Sequence, residues 1–317
     1  MKILIPNYLS FVLTISSFLI TFLSYKFYIP FIAKYIIDIP IIRSSHKFPK
    51  PTTGGLVFAT ISSLLSLYFV GYKFLIFLPL AIIGFLDDIL NISSKIRYCF
   101  QFLSVIFLIS IMDINFSFLE KQSFLFSSLL IILIVIGSTG LINFINFMDG
   151  IDGLLAGVMI PVLLIGSIYV SNIYFLTLGP LLAFLNFNWS PSKIFMGDVG
   201  SMFLGLIYIS ILVNAEDIQL SIALILIAGP LFLDAMTCLI ARYKSGQNIF
   251  EAHKLHLYQR LVLKGWSHSK VSSIYIFSST ILALIYYLFG FKSLVFGFLS
   301  IFIAGTFINK KFASPFP

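Results

Sequence analysis

SLLIILIVIGSTGLINFINFMDGIDG, residues 128–153, begins as hydrocarbon and ends as a string of amides and carboxylates. Its apolar run, centred near Leu133, shows none of the period-two alternation of a membrane β-strand. About 20 apolar residues cross the hydrocarbon as a helix, so the run reads as a transmembrane helix. Asn143, Asn146, Asp149 and Asp152 then advance in steps of three and on a helix would form one polar stripe. Gly150 and Gly153 oppose helix formation, so the helix is expected to end near Met148, with the two Asp-Gly pairs turning at the interface. Two readings stay open for the stripe. Asn and Asp cap helices and favour turns; they are also hard oxygen donors for Mg²⁺ and hydrogen-bond partners for a nucleotide.

The rest of the chain repeats this pattern. It has 317 residues, of which 59% are hydrophobic and 10% charged, and a mean hydropathy of +1.06. Soluble domains are about 25% charged, so the chain reads as one all-α, polytopic membrane domain over residues 1–317. Apolar runs centred near Ile20, Ser63, Ala81, Ile106, Leu133, Val162, Pro180, Tyr208, Ala228, Leu282 and Ser300 give about 11 transmembrane helices, with 10 possible. The first run lacks a cleavage signature and reads as a retained span. Cys99 and Cys238 have no zinc-type spacing and are assigned neither a disulfide nor a metal.

Basic residues orient the bundle. Of the 20 Lys and Arg, fourteen fall on one side of an eleven-span arrangement and only Lys2, Lys73, Lys121 and Lys292 on the other, with Lys26 and Lys34 left uncounted. Short loops rich in Lys and Arg stay cytoplasmic, which puts the N-terminus in the periplasm. A net charge of +8 beside anionic lipid calls for no nucleic acid. The same count gathers the polar clusters on the cytoplasmic face.

Four constellations stand out. Asp87 and Asp88 close the apolar run LPLAIIGFLDD, where adjacent carboxylates at the hydrocarbon edge need a metal, a lysine or a shared proton nearby. NFINFMDGIDG is the second. In FMGDVGS (195–201), Asp198 sits between glycines at a helix entrance, either as an N-cap with Ser201 as partner or where a phosphate or metal meets the backbone. In EAHKLHLYQRL (251–261), His253, His256, Arg260 and then Lys264 can share a helical face and suit a pyrophosphate, or form a solvated basic face. A zinc-protease spacing is absent.

In this order, RSSHKFPKPTTGG (43–55), GFLDD (84–88), NFINFMDGIDGL (143–154), PSKIFMGDVGS (191–201) and HKLHLYQRL (253–261) resemble the polyprenyl-phosphate N-acetylhexosamine-1-phosphate transferases, glycosyltransferase family 4. RSSH and IFEAHKLHLYQRLVLKGWSH look most like the bacterial members that begin O-antigen synthesis. The resemblance implies a Mg²⁺-dependent enzyme (Mn²⁺ a possible substitute) in the bacterial inner membrane, working as a homodimer. It would transfer an N-acetylhexosamine-1-phosphate, possibly of a 6-deoxy sugar, from a UDP-N-acetylhexosamine to undecaprenyl phosphate and release UMP. This would be the first step of a lipopolysaccharide or other surface polysaccharide. Asp87 would deprotonate or position the lipid phosphate, with Asp88 supporting it. Asp198 would hold the metal with Asn146 beside it, and Asp149, Asp152 and Phe195 would line the nucleotide site. His253, His256 and Arg260 would hold phosphates, with Lys47 and Lys50 at the entrance. The muramoyl-pentapeptide transferases of the same family are the alternative; they carry a triple-histidine run where this chain has separated histidines. A transporter is the alternative of another class, but its ionisable groups would lie near mid-membrane. Here the carboxylates crowd at one face, and Asp234, toward the inner end of its span, is the main exception.

Overall fold

The computed structural model describes residues 7–40, 48–111, 123–248 and 253–316. Twelve α-helices follow in order: α1 (Asn7–Ile32), α2 (Gly55–Val70), α3 (Leu78–Leu90), α4 (Ser94–Ile111), α5 (Phe124–Phe147), α6 (Leu154–Tyr169), α7 (Phe175–Asn188), α8 (Gly197–Val213), α9 (Ile218–Ile227), α10 (Gly229–Lys244), α11 (Leu257–Leu263) and α12 (His268–Phe312). A two-residue antiparallel pair, β1 (Ile37–Asp38) with β2 (Lys50–Pro51), sets Asp38 opposite Lys50. Among the described residues, four helices are long and apolar enough to cross a membrane, and α9 with α10 makes a fifth if the bent pair is one span. The protein is an all-α membrane protein.

The expected centre near Ala228 is where the chain breaks. α9 and α10 meet there at 75°, with proline in the first turn of α10 removing a backbone donor. The last two expected centres lie on the one long helix α12. Straight, its 45 residues would run about 68 Å at 1.5 Å per residue. Instead Gly290 takes φ +76° and the helix folds back, bringing the Trp266 and Phe312 rings to 5.5 Å.

Close helix crossings depend on small residues, as apolar helices in lipid gain mainly from contact. α1 lies along α7 and α3 along α8. A Cβ on Gly179 would stand 2.2 Å from Ser17 Oγ, and one on Gly84 would stand 2.4 Å from the Asp198 carbonyl oxygen. Large apolar side chains such as Tyr68, Leu125 and Phe27 point outward, each at least three-quarters exposed, a lipid-facing belt rather than a soluble surface. Gly84→Val is therefore expected to cost about 1–3 kcal/mol and lower the unfolding midpoint in detergent. Gly140→Ala, whose new Cβ meets open space, should leave the midpoint unchanged or raise it.

Candidate active site

The polar stripe divides its work at the end of α5, whose cap is Met148. Asn143 faces α4: its Nδ2 donates to Gln101 Oε1 at 2.6 Å and to the Thr139 carbonyl at 2.9 Å. Asn146 faces α8, its Oδ1 accepting from Ser201 Oγ at 2.6 Å. Asp149 lines a cavity of about 650 Å³. Asp152 closes the loop: it accepts from Ser192 N at 3.2 Å and Ser192 Oγ at 2.8 Å, with Lys50 Nζ at 3.6 Å and His268 Nδ1 at 3.4 Å. Its backbone carbonyl accepts from Ser272 Oγ on α12.

That cavity gathers six carboxylates, those of Asp38, Asp87, Asp88, Asp149, Asp152 and Asp198, half of the twelve acidic residues in the chain. Asn146, Phe195, Gln259, His268 and Arg97 also line it. Arg97 escaped the sequence reading, although two adjacent carboxylates signalled the need for a cation. Its Nη1 donates to Asp87 Oδ2 at 2.7 Å and to Asp198 Oδ2 at 2.9 Å, so the first turn of α4 neutralises α3 and α8 together. Asp88 turns the other way. Its Oδ1 accepts from Asp198 N at 2.8 Å and its Oδ2 from Val199 N at 3.3 Å, capping the N-terminus of α8 from a neighbouring helix. Asp198 itself lies in the first turn of α8 and is not its N-cap.

Backbone pairing holds this entrance in place. Gly54 N and Gly55 N donate to the carbonyls of Phe195 and Met196, both at 2.8 Å. A Cβ on Gly55 would stand 2.2 Å from Gly200 Cα, so PTTGG and FMGDVGS can meet only through glycines. Thr53 takes φ +67°, a costly conformation for a β-branched residue. Tyr28 OH reaches its carbonyl and hydroxyl, and Tyr25 OH donates to the Gly54 carbonyl at 2.7 Å.

Charge is unevenly spread. Burial, reinforced by the charges of Asp88 and Asp152, pushes the Asp149 carboxyl up to about 7. Burial alone would also raise Asp152, but bonds from His268 and Ser192 and the charge of Lys50 outweigh it and hold Asp152 below the usual carboxylate range. A depressed carboxyl adds stability above its unfolded pKa of about 4 and loses it as the pH falls towards the folded value. Asp152→Asn should therefore cost about 1–3 kcal/mol at pH 7 and progressively less below pH 4, read from unfolding midpoints across pH.

The remaining expected residues lie apart. Lys50 is not among the described lining residues; its Nζ donates to Ser192 Oγ and stands 5.2 Å from the Phe195 ring centre. Lys47 lies outside the described residues. Arg260 is buried and bonded to the carbonyls of Leu255 and Ser314 and to Asn309, which ties α11 to the end of α12. His253 and His256 sit with Cys238 in the corner between α10 and α11. Asp234 caps α11 from α10: Leu257 N and Tyr258 N donate to it at 2.6 and 3.1 Å, and Tyr275 OH at 2.6 Å. The in-span carboxylate is thus a structural cap.

An apolar helical bundle with an oxygen-rich acidic cavity at its helix ends defines an all-α membrane protein with a polar site. The family described as glycosyl transferase family 4 matches residues 53–216. The phospho-N-acetylmuramoyl-pentapeptide-transferase of Staphylococcus saprophyticus is 30% identical over 311 residues, covering 84% of this chain and 94% of its own. The protein of the same name from Fervidobacterium nodosum is 30% identical over 77% of this chain and 84% of its own. A probable undecaprenyl-phosphate N-acetylglucosaminyl 1-phosphate transferase of Bacillus subtilis is 28% identical over 59% of this chain and 56% of its own. The chain belongs to this family, that of the polyprenyl-phosphate sugar-1-phosphate transferases.

Proposed function

We propose that the protein transfers N-acetylhexosamine-1-phosphate from a UDP-sugar to undecaprenyl phosphate on the cytoplasmic face of the inner membrane, releasing UMP. The observation that carries this reading is the convergence of Asp87 and Asp198 on one cation, in a cavity that also holds Asn146, Asp152 and Phe195. Six carboxylates would repel a diphosphate, and a hard divalent cation reverses that sign. The donor set fits Mg²⁺ or Mn²⁺: two carboxylates share one cationic partner, and Asn146 Oδ1 is oriented by Ser201, all of them oxygen donors. Asp87, Asp198 and Asn146 would hold the ion, which when bound supplies charge neutralisation to the diphosphate.

The chain's own groups do the rest. Asp87 positions the lipid phosphate or takes its proton for attack on the β-phosphorus, and Asp88 keeps the α8 entrance in register. Asp152 and Phe195 bound the nucleotide end, where Lys50 already spans both. His253, His256 and Arg260 are bound up in the α10–α11 corner and take no part in this proposal. Eleven spans, counting the two arms of α12 separately and α9–α10 as one, put the N-terminus outside. A cysteine at Ser245 should then label from the cytoplasm.

The separated histidines favour a surface-polysaccharide substrate, such as the O-antigen lipid. The two relatives aligned over most of their length favour a second reading, transfer of phospho-N-acetylmuramoyl-pentapeptide. One assay separates them: UMP release by purified protein with undecaprenyl phosphate and Mg²⁺, across UDP-N-acetylhexosamines, their 6-deoxy forms and UDP-N-acetylmuramoyl-pentapeptide. Release with an acetamido sugar alone supports the first reading, and release with the pentapeptide donor alone the second. No release from any donor by folded protein rejects both.

A further inference from the structure

From residue 252 to residue 317 the chain contains no aspartate or glutamate, yet it carries seven lysines and arginines. The fold-back of α12 gathers four of them. Lys264 caps the end of α11, Lys270 lies in the first turn of α12, and Lys310 and Lys311 lie in its last; all four are exposed. Trp266 joins the two ends, its ring centre 5.5 Å from that of Phe312. Lys270 Nζ stands 3.7 Å from the Trp266 ring centre and Lys311 Nζ 5.5 Å from that of Phe312. None of the four lysines forms an ion pair with a carboxylate among the described residues. A helix dipole favours cations in a last turn but opposes Lys270 in a first one, and the face of Trp266 offsets only part of that. Like charges gathered without a counter-ion repel one another, so the anion that relieves them must come from outside the chain.

The surroundings say what kind of anion fits. α12 is long and apolar enough to cross a membrane, and Leu263 and Phe307, both more than half exposed, flank the lysines with hydrocarbon. A soluble anion gains nothing from those side chains, whereas a phospholipid brings a phosphate and an acyl chain together to such a mixed edge. We propose that the two ends of α12 form a binding site for an anionic phospholipid, its head group held by Lys270 and Lys311 beside the Trp266–Phe312 ring pair. Lys264 and Lys310 add to the local field. The site is separate from the acidic cavity, whose described lining includes none of these lysines. Asn309 and Ser314 of the returning arm hold Arg260, so a head group that bridges the two ends also steadies α11.

Trp266 is itself the probe, because the chain has only one other tryptophan, Trp189, which Trp189→Phe removes. Full-length Trp189→Phe protein is reconstituted in phosphatidylcholine with rising fractions of brominated phosphatidylglycerol, whose bromines quench a tryptophan that the lipid touches; brominated phosphatidylcholine is the neutral reference. The anionic lipid is expected to occupy the site at least about threefold more tightly than the neutral one. That preference should fall to about parity in Lys270→Gln/Lys311→Gln, whose altered positions are exposed, and in about 0.5 M salt. The unfolding midpoint of protein that keeps Trp189 gives the same comparison without the Trp189→Phe change: phosphatidylglycerol should raise it more than phosphatidylcholine, and less so in the double lysine variant. No turnover enters the readout, so its failure leaves the transferase reading standing. Equal effects of the two lipids, or a preference unchanged by Lys270→Gln/Lys311→Gln, overturn the site. So would displacement of phosphatidylglycerol by soluble glycerol phosphate, which marks a site for a free anion, or by an equimolar amount of undecaprenyl phosphate, which marks a path for that lipid instead.

Discussion

Asp198→Asn is expected to lower UMP release at least about a thousandfold, with the unfolding midpoint in detergent nearly unchanged. The substitution keeps size and one acceptor oxygen but deletes one of the two charges that meet at Arg97. Phosphoryl transfer between two anions depends on neutralisation and positioning, and loss of one such group typically costs about 10²–10³ in rate; under the proposed function, loss of the ion itself would add to it. Asp87→Asn should behave alike. Asp88→Asn should not, because Asp88 caps α8 through Asp198 N and Val199 N. An amide keeps one acceptor for that cap, so about 1–2 kcal/mol of stability is expected to go, with a smaller loss of rate. A rate above about a tenth of wild type in Asp87→Asn or in Asp198→Asn would remove that residue from the reaction, and an Asp88→Asn protein as inactive as Asp198→Asn would make the adjacent carboxylates equivalent.

Arg97→Ala should destabilise the metal-free protein by on the order of 3 kcal/mol, since it strips the cation from Asp87, which is only 7% exposed, and breaking one side of such a pair leaves an uncompensated charge. Under the proposed function a divalent cation would neutralise the same two carboxylates that Arg97 pairs with, so Mg²⁺ should restore much of that stability. The shift of midpoint on adding Mg²⁺ is expected to be larger in Arg97→Ala than in wild type. Equal Mg²⁺ shifts in the two proteins would show that the ion and Arg97 act at unrelated places. EDTA is expected to abolish turnover in both.

Much of the helical plan was legible because lipid imposes it. A backbone in hydrocarbon must satisfy its own hydrogen bonds, so long Leu, Ile and Phe runs can only be helices. The end of α5 at Met148 could be read from Gly150 and Gly153, as a helix stops where its residues cannot hold it. Charge at helix ends likewise marked one face of the bundle, and five of the cavity's six carboxylates, Asp38 being the exception, were singled out before any contact was known.

What spacing could not carry was the partner of each polar group, because partners belong to other helices. Asp87 and Asp88 are neighbours with opposite duties: one shares Arg97 with Asp198, and the other caps α8. Arg260 shares a helical turn with His256, yet it binds the end of α12. Asp234, conspicuous within a span, is the cap of α11, and Cys238 meets histidines fifteen and eighteen residues further on. Local periodicity and hydropathy act within one segment and determined the helices, their composition and the acidic cluster. Only packing, through glycines at 55, 84 and 179 that let backbones touch, decided which side chains face one another and therefore which of them can do chemistry.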